Sequence, residues 1–167
     1  RHIFLYFCIP IAETSMFRKR EAIFTAKSGG TLEEMCREIL MQANDKGLLK
    51  IVFFCNATND SEYLKILEVI RSVVESFFTA QKPLVSYIAQ KPGNSPLAAE
   101  AIYLDDTTAS IERHGRYTLL CNGTCKEIIT EGIVPSDVAM SAFEQSMEIF
   151  STIGEILKSN GFQPSDI

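Results

Sequence analysis

The stretch Thr31-Leu-Glu-Glu-Met-Cys-Arg-Glu-Ile-Leu-Met-Gln-Ala-Asn-Asp-Lys-Gly-Leu-Leu-Lys-Ile-Val-Phe-Phe-Cys55 contains two hydrophobic patterns in succession. Its first half has apolar residues at helical spacing, behind a capping box formed by Thr31 and Glu34. Its second half is a short apolar run with β-branched residues, which predicts a buried strand. Gly47 separates the halves, and we expect it to end the helix in a left-handed conformation. A helix followed by a buried strand indicates a sheet that is covered by helices.

The same alternation continues on both sides of this stretch. Apolar runs precede it, and a second helical stripe with two further apolar runs follows it. Turn residues separate these runs, most clearly at Lys91-Pro-Gly-Asn-Ser-Pro96. The predicted elements are paired strands at 3–11 and 17–26, a helix from Leu32, a strand at 48–55, a helix capped by Asp60 or Ser61, and strands at 84–89 and 97–104.

The order of elements begins again after Asp105-Asp-Thr-Thr108. His114-Gly115 is typical of a hairpin turn between two short strands, and 126–130 predicts a third strand. Pro135-Ser-Asp137 is expected to start a long helix that Gly161 closes. The apolar stripe of this helix, which we expect to face the core, consists of Val138, Phe143, Met147, Phe150, Ile153 and Leu157.

This recurrence predicts two tandem modules. Ile39-Leu-Met-Gln-Ala-Asn-Asp-Lys-Gly47 ends the first long helix, and Ile156-Leu-Lys-Ser-Asn-Gly161 ends its counterpart. The first module is expected to cover residues 1–106, and the second to be the N-terminal part of a module over 107–167. Because the second sequence stops where the next strand is due, we expect the molecule to continue, or another chain to supply the missing layer.

Composition excludes several classes of protein. The chain has 167 residues and a net charge of −5, which argues against a nucleic-acid-binding surface. No apolar run is long enough to predict a membrane-spanning helix. The five cysteines lie mostly in apolar runs, which favours buried thiols in a reducing, cytoplasmic setting. Their spacing does not form a metal-binding pattern, so we expect no metal and no other cofactor.

Several segments resemble the YjgF/RidA superfamily, also described as L-PSP endoribonuclease-like or translation-initiation-inhibitor-like. The stretches that carry the resemblance are Tyr117-Thr-Leu-Leu-Cys-Asn-Gly-Thr-Cys125, Phe143-Glu-Gln-Ser-Met-Glu-Ile-Phe150, Tyr87-Ile-Ala-Gln-Lys-Pro92 and Leu97-Ala-Ala-Glu-Ala-Ile-Tyr-Leu104. The resemblance implies an α+β fold of chorismate mutase-like modules, each a mixed β-sheet with two helices packed on one face. The tandem arrangement, with a degenerate first module, is similar to the chorismatase-like branch.

The resemblance also implies a site. Family members hydrolyse enamines and imines in a pocket between the subunits of a trimer, where an arginine on the penultimate strand clamps the substrate carboxylate. A backbone N–H beside a strand glycine and a glutamate on the last strand complete that pocket. The glutamate resembles Glu100, and the glycine resembles Gly123, with Asn122 and Cys121 beside it. The arginine has no counterpart, because the matching segment is Lys82-Pro-Leu-Val-Ser86 and lysine does not reproduce a bidentate clamp.

Each carried-over residue also has a purely structural interpretation. Glu100 is either a strand glutamate at an edge or facing solvent, or a residue of a ligand pocket. Gly123 either serves the backbone conformation and packing or offers its N–H to an anion. Cys121 is either an ordinary strand residue or a reactive thiol.

Three functions follow as hypotheses. The first is a module that binds a small carboxylate metabolite, without catalysis, in a homo-oligomer that is a trimer or pseudo-trimer. The second is an enamine/imine deaminase or chorismatase-like hydrolase whose site a neighbouring subunit or the missing half completes. The third, an RNA-cleaving translation inhibitor, is the least favoured because the chain is acidic and has no basic, aromatic-studded stripe.

Overall fold

A computed structural model describes residues 17–27, 29–123, 125–137 and 139–166. The predicted strand at 3–11 lies outside the described residues. The described residues divide into two compact units, an N-terminal unit over 17–107 and a C-terminal unit over 108–166. Both units combine strands with helices, so the fold is α+β and contains a mixed sheet.

The N-terminal unit contains four strands and two helices in the order β-α-β-α-β-β. The strands have the lengths expected for a small sheet, and the helices are three to five turns long. Their bounds are β1 Lys19–Thr25, α1 Leu32–Ala43, β2 Leu48–Cys55, α2 Asp60–Phe77, β3 Leu84–Ala89 and β4 Leu97–Leu104.

The four strands form one mixed sheet in the order β1-β4-β2-β3. Strands β2 and β3 are parallel and are joined through α2, as a parallel pair requires. Strand β4 is the last of the four in the chain, yet it lies between β1 and β2 and runs antiparallel to both. The residues of β4 are therefore central in the sheet rather than at an edge.

Both helices pack on one face of this sheet. The core that they form with the sheet includes Ile39 and Leu40 of α1, Ile70 of α2, and Ile51 and Phe53 of β2. Two tyrosines complete it. The Tyr103 hydroxyl donates a 2.9 Å hydrogen bond to the carbonyl oxygen of Ala43, at the end of α1. Tyr87 stacks on Tyr63 of α2 with ring centroids 4.9 Å apart, and its hydroxyl donates a 3.2 Å hydrogen bond to the carbonyl oxygen of Cys55 in β2.

The caps of the two helices agree only in part with the sequence prediction. The capping box of Thr31 and Glu34 is confirmed, with both reciprocal hydrogen bonds present. The prediction that Asp60 or Ser61 caps α2 is wrong, because the side chain of Asn59 accepts the hydrogen bond from the Glu62 N–H. Asn is as good an N-cap as Asp or Ser, so the run of polar residues before α2 left the position ambiguous.

Gly47 does not cap α1. The helix ends at Ala43 with Asn44 as its C-cap, and Gly47 does not adopt a positive φ. A Cβ at Gly47 would lie 2.5 Å from the carbonyl oxygen of Leu104. The glycine is therefore required by the close approach of β4 at this point, which is 57 residues away in sequence and cannot be inferred from local patterns.

The C-terminal unit is an antiparallel meander with one long helix. Strands β5, β6 and β7 pair in sequence order, and the predicted hairpin turn between β5 and β6 is present as a three-residue connection, His114-Gly115-Arg116, closed by a hydrogen bond from the His114 N–H to the Tyr117 carbonyl oxygen. A short 3₁₀ helix ends the described part. The bounds are β5 Ser110–Arg113, β6 Tyr117–Cys121, β7 Lys126–Thr130, α3 Ala142–Ser159 and the 3₁₀ helix Pro164–Asp166.

Helix α3 begins later than its sequence predicted. Its N-cap is Ser141, which forms a capping box with Glu144, whereas Pro135-Ser-Asp137 lies in the preceding loop. The C-terminal end is as predicted, since Gly161 has a φ of +80°. There the N–H groups of Gly161 and Phe162 donate to the carbonyl oxygens of Lys158 and Leu157, respectively, which is a Schellman motif.

The predicted core stripe of α3 is only partly correct. Phe143, Met147 and Phe150 are exposed, and Val138 lies outside the described residues. The helix carries a second apolar face, and that face packs on β6 and β7. Its buried residues are Ile149, Ile153, Ile156 and Leu157, of which Ile153 and Leu157 belonged to the prediction.

None of the described helices is long and apolar enough to cross a lipid bilayer.

Candidate functional site

Glu100 lies in the centre of the N-terminal sheet, on the face opposite α1 and α2. It pairs with Ile23 of β1 on one side and with Val52 of β2 on the other. Its chain neighbours Ala99 and Ala101 belong to the core under the helices, and side chains alternate along a strand. The Glu100 side chain is half-buried. Because β4 is not an edge strand, the edge-strand interpretation of Glu100 is wrong.

Ser86 belongs to the same row of side chains as Glu100. It pairs with Val52, which in turn pairs with Glu100, so the two polar residues flank a valine across three strands. Ser86 is 5 % exposed, and its hydroxyl has no hydrogen-bond partner among the described residues. A buried hydroxyl without a partner costs about 1–3 kcal/mol, and such groups are rare in folded proteins. Ser86 is therefore an anomaly of this face.

Lys50 lies one row away on the same face. It pairs with Leu84 of β3 and with Ile102 of β4, which places it diagonal to both Ser86 and Glu100. Lys50 is only 2 % exposed. A lysine is almost never fully buried unless its ammonium group is engaged, so this position is chemically special. Lys50, Ser86 and Glu100 occupy two adjacent rows of the same sheet face, and we call this group of three residues the polar row.

An open groove lies near one end of the β1–β4 pair. Ile23, Thr25 and Ala98 line its sheet side, and the 92–96 turn closes the other side around a volume of about 520 Å³. Ile23 pairs with Glu100, but none of Glu100, Ser86 and Lys50 lines the groove. The turn is held in place by the Ser95 hydroxyl, which lies 2.7 Å from the carbonyl oxygen of Leu97.

No arginine occupies the strand that would carry the carboxylate clamp. Strand β3 contains only Leu, Val, Ser, Tyr, Ile and Ala. Lys82, which precedes this strand, is exposed and forms an ion pair with Glu75 at 3.7 Å.

Cys121 is the last residue of β6, and Asn122 and Gly123 follow it in the connection to β7. Cys121 pairs with Lys126, and the Asn122 side chain accepts a 2.9 Å hydrogen bond from the Cys125 N–H across the turn. Gly123 has a φ of +85°, and a Cβ placed there would meet nothing within 4 Å. These features favour the structural interpretation of Gly123, in which the turn requires its conformation.

The described cysteines whose pKa is shifted are less acidic than an ordinary thiol. Cys36, Cys55, Cys121 and Cys125 are all free thiols. Burial raises the pKa of Cys36 to about 12, with a smaller contribution from neighbouring Cys55. Burial also raises the pKa of Cys121, and nearby Glu112 acts in the same direction. A nucleophilic cysteine needs a lowered pKa, so these shifts oppose a reactive-thiol role for Cys121.

The structure therefore brings together one of the predicted site residues with two that the sequence interpretation missed. Glu100 shares a face with Ser86 and Lys50, whereas Cys121, Asn122 and Gly123 form a hairpin turn in the other unit. A charged residue inside the apolar run Leu48–Cys55 was a signal that could have indicated Lys50. Nothing local indicates Ser86, because its place in the row depends on pairing between distant strands.

Among the described residues, no three His, Cys, Asp or Glu side chains are grouped closely enough to hold a metal ion. No protein-family model matches the sequence, and no curated protein or solved structure matches it either.

Proposed function

We propose that the N-terminal unit is a RidA-like module that binds a small carboxylate metabolite and does not itself catalyse its conversion. The observation that carries this proposal is the polar row itself. In it, a buried lysine, an unpartnered serine hydroxyl and a glutamate lie in adjacent register positions on a largely apolar face. A few convergent polar groups in apolar surroundings are typical of small-molecule sites.

The chemistry of the three groups suits a ligand with a carboxylate at one end and a hydrogen-bond donor at the other. Neighbouring strands are about 4.8 Å apart, so groups in the same or the next row can contact one small molecule. The Lys50 ammonium would attract the carboxylate, and the Ser86 hydroxyl would donate to it. Glu100 would accept a hydrogen bond from an amino, imino or hydroxyl group on the adjacent carbon.

The absence of arginine supports binding rather than turnover. A lysine is a point charge with rotatable donors, whereas a guanidinium fixes a carboxylate in one plane through two parallel hydrogen bonds. Hydrolysis of an imine needs the substrate held in a near-attack orientation towards water. The row as it stands supplies charge and hydrogen bonds without that planar clamp.

Titration of the intact chain with small ligands tests the proposal. Binding is measured by isothermal calorimetry and by NMR chemical shift changes. The panel is a series of small 2-oxo, 2-hydroxy and 2-amino acids together with their amides, which lack the carboxylate. We expect binding of acids but not of amides, and a loss of about 10–100-fold in affinity for both Glu100→Gln and Lys50→Met. The matched control is Glu68→Gln, an exposed carboxylate on α2, which packs on the opposite face of the sheet, and this variant should bind as the unmodified chain does.

Two results would contradict the proposal. One is equal binding of acids and amides, which would remove the role of Lys50. The other is release of ammonia from a 2-imino acid faster than in buffer, abolished by Glu100→Gln, which would instead establish the deaminase hypothesis. Circular dichroism of each variant separates loss of binding from loss of folding.

A further inference from the structure

The sequence contains two asparagine–glycine pairs, Asn122-Gly123 and Asn160-Gly161. An asparagine in such a pair can lose its side-chain amide without an enzyme, because the peptide nitrogen of the following residue can attack the side-chain carbonyl carbon, Cγ. Glycine favours this attack, since it has no Cβ to obstruct the approach. Both asparagines are partly exposed and both glycines are exposed, so exposure to water does not distinguish the two pairs.

The second pair is held by the end of helix α3. The Gly161 N–H donates to the carbonyl oxygen of Lys158 at 3.2 Å, as part of the Schellman motif. The side-chain amide nitrogen of Asn160, Nδ2, donates a 2.8 Å hydrogen bond to the carbonyl oxygen of Ile156. The nitrogen that would attack and the amide that would leave are therefore both hydrogen-bonded to the last turn of the helix.

The first pair has a hydrogen bond on a different atom. The side-chain oxygen of Asn122, Oδ1, accepts a 2.9 Å hydrogen bond from the Cys125 N–H. A donor on this oxygen polarises Cγ and stabilises the negative charge that the oxygen acquires when Cγ is attacked, as an oxyanion hole does. The Gly123 N–H donates to no atom of the described residues, so the attacking nitrogen has no hydrogen bond to break.

We propose that Asn122 is a site of spontaneous deamidation in the folded protein and that the fold protects Asn160. The Gly123 nitrogen bonds to Cγ of Asn122, the bond from Cγ to Nδ2 breaks, and the Gly123 amide proton passes through water to the leaving nitrogen, which departs as ammonia. The product is a cyclic succinimide. Water then adds to either ring carbonyl and opens the ring, so position 122 becomes aspartate or isoaspartate, and water is the sole co-reactant.

The two products act differently on the connection between β6 and β7. Aspartate keeps the backbone unchanged and offers a charged acceptor to the Cys125 N–H, and charge-assisted hydrogen bonds are stronger than neutral ones. Isoaspartate adds a methylene group to the backbone directly after Cys121, which pairs with Lys126 across the connection. Deamidation therefore adds a negative charge to the C-terminal unit and, in the isoaspartate product, disturbs the β6–β7 hairpin.

Peptide mapping by mass spectrometry tests this proposal on the intact protein. Trypsin cleaves after Arg116, Lys126 and Lys158, so the two pairs are read in separate peptides. After incubation in mildly alkaline buffer, we expect conversion of Asn122 at a rate at least about tenfold that of Asn160. The matched control is the same incubation in concentrated urea, which removes the hydrogen bonds of both pairs, and there the two rates should agree within about threefold.

A substitution at the attacking residue tests the chemistry. Gly123→Ala should slow the conversion of Asn122 at least about tenfold, because its Cβ obstructs the attack, and should leave the rate at Asn160 unchanged. Circular dichroism checks that this variant is folded. Three results would overturn the proposal: no conversion of Asn122 in the folded protein, a ratio of the two rates in buffer equal to that in urea, or conversion of Asn122 that is undiminished in folded Gly123→Ala.

Discussion

Gly47 and Leu104 are joined by a 2.8 Å hydrogen bond from the Leu104 N–H to the Gly47 carbonyl oxygen, and a Cβ on Gly47 would lie 2.5 Å from the Leu104 carbonyl oxygen. The contact joins the residue before β2 to the last residue of β4. The pairing of β2 with β4, at the centre of the N-terminal sheet, therefore begins at a position that admits no side chain.

We therefore predict that Gly47→Ala destabilises the protein by about 2 kcal/mol or more. The added methyl group meets backbone, which cannot rotate away, so β4 must shift and its pairing must weaken. Urea unfolding followed by circular dichroism measures the change. An unfolding free energy equal, within error, to that of the unmodified chain would contradict the prediction, because it would show that β4 can shift at little cost in stability.

The matched control for that change is Gly154→Ala. The chemical change is the same, but Gly154 is helical and open, so this substitution should stabilise α3 by about 0.5–1 kcal/mol. It is measured by the same urea unfolding as Gly47→Ala. Opposite signs for the two glycines are the expected result.

Ser86→Ala should not destabilise the protein, although Ser86 is buried. The hydroxyl that it removes makes no hydrogen bond with the described residues, so its loss is neutral or stabilising by about 1 kcal/mol. Affinity for the small carboxylate should fall at the same time. Ser95→Ala is the contrasting variant, because its hydroxyl is 2.7 Å from the Leu97 carbonyl oxygen, and it should lose about 1 kcal/mol. A destabilised Ser86→Ala protein would mean that the hydroxyl has a partner in solution.

Cys36 makes stability fall in alkaline solution. Burial raises its pKa from 9.0 to about 12, so the folded state holds the thiol proton more tightly than the unfolded state does. This contribution is complete below about pH 9 and is lost as the pH rises towards 12, at up to about 1.4 kcal/mol per pH unit. Cys36→Ala should be less stable at pH 7, because it leaves a cavity, yet its stability should decline less steeply above pH 9. Chemical unfolding at a series of pH values gives both slopes, and parallel slopes would refute the assignment to Cys36.

Substitutions of Gly123 distinguish a structural role in the turn from a role in binding an anion. If the turn conformation is its role, Gly123→Asn should be better tolerated than Gly123→Ala, because asparagine adopts positive φ more readily. Gly123→Ala should lose about 1 kcal/mol. Thermal unfolding of both variants measures this, and ligand affinity should be unchanged in each. A drop in affinity with unchanged stability would favour the anion-binding interpretation.

Local signals predicted the elements well where the signal and its cause lie close together in the chain. The Thr31 capping box fixed the start of α1, and the apolar run Leu48–Cys55 predicted β2. The start of α3 was misplaced at Pro135, although Ser141-Ala-Phe-Glu144 carries the same capping signal as Thr31. A proline followed by small polar residues is equally typical of a loop, so two competing start signals stood six residues apart.

The remaining errors concern positions whose cause is distant in sequence. Helix α3 has two apolar faces, and its own sequence cannot say which one meets the sheet, so Phe143 was assigned to the core although it is exposed. The polar row was also missed because it depends on residues that are distant in sequence. Ser86 and Glu100 share a row only because both pair with Val52, and strand register is fixed by tertiary packing rather than by any motif.

The position of β4 also determines when the N-terminal unit can fold during synthesis. Because β4 is the last strand of the unit to be translated and is inserted between β1 and β2, a nascent chain that has emerged only as far as Ala89 contains β1, β2 and β3 but not the strand that joins β1 to β2. The sheet can close only after Leu104 has left the ribosome. Until then the edge of β2 that pairs with β4 is open to chaperones and to misplaced pairing with other chains.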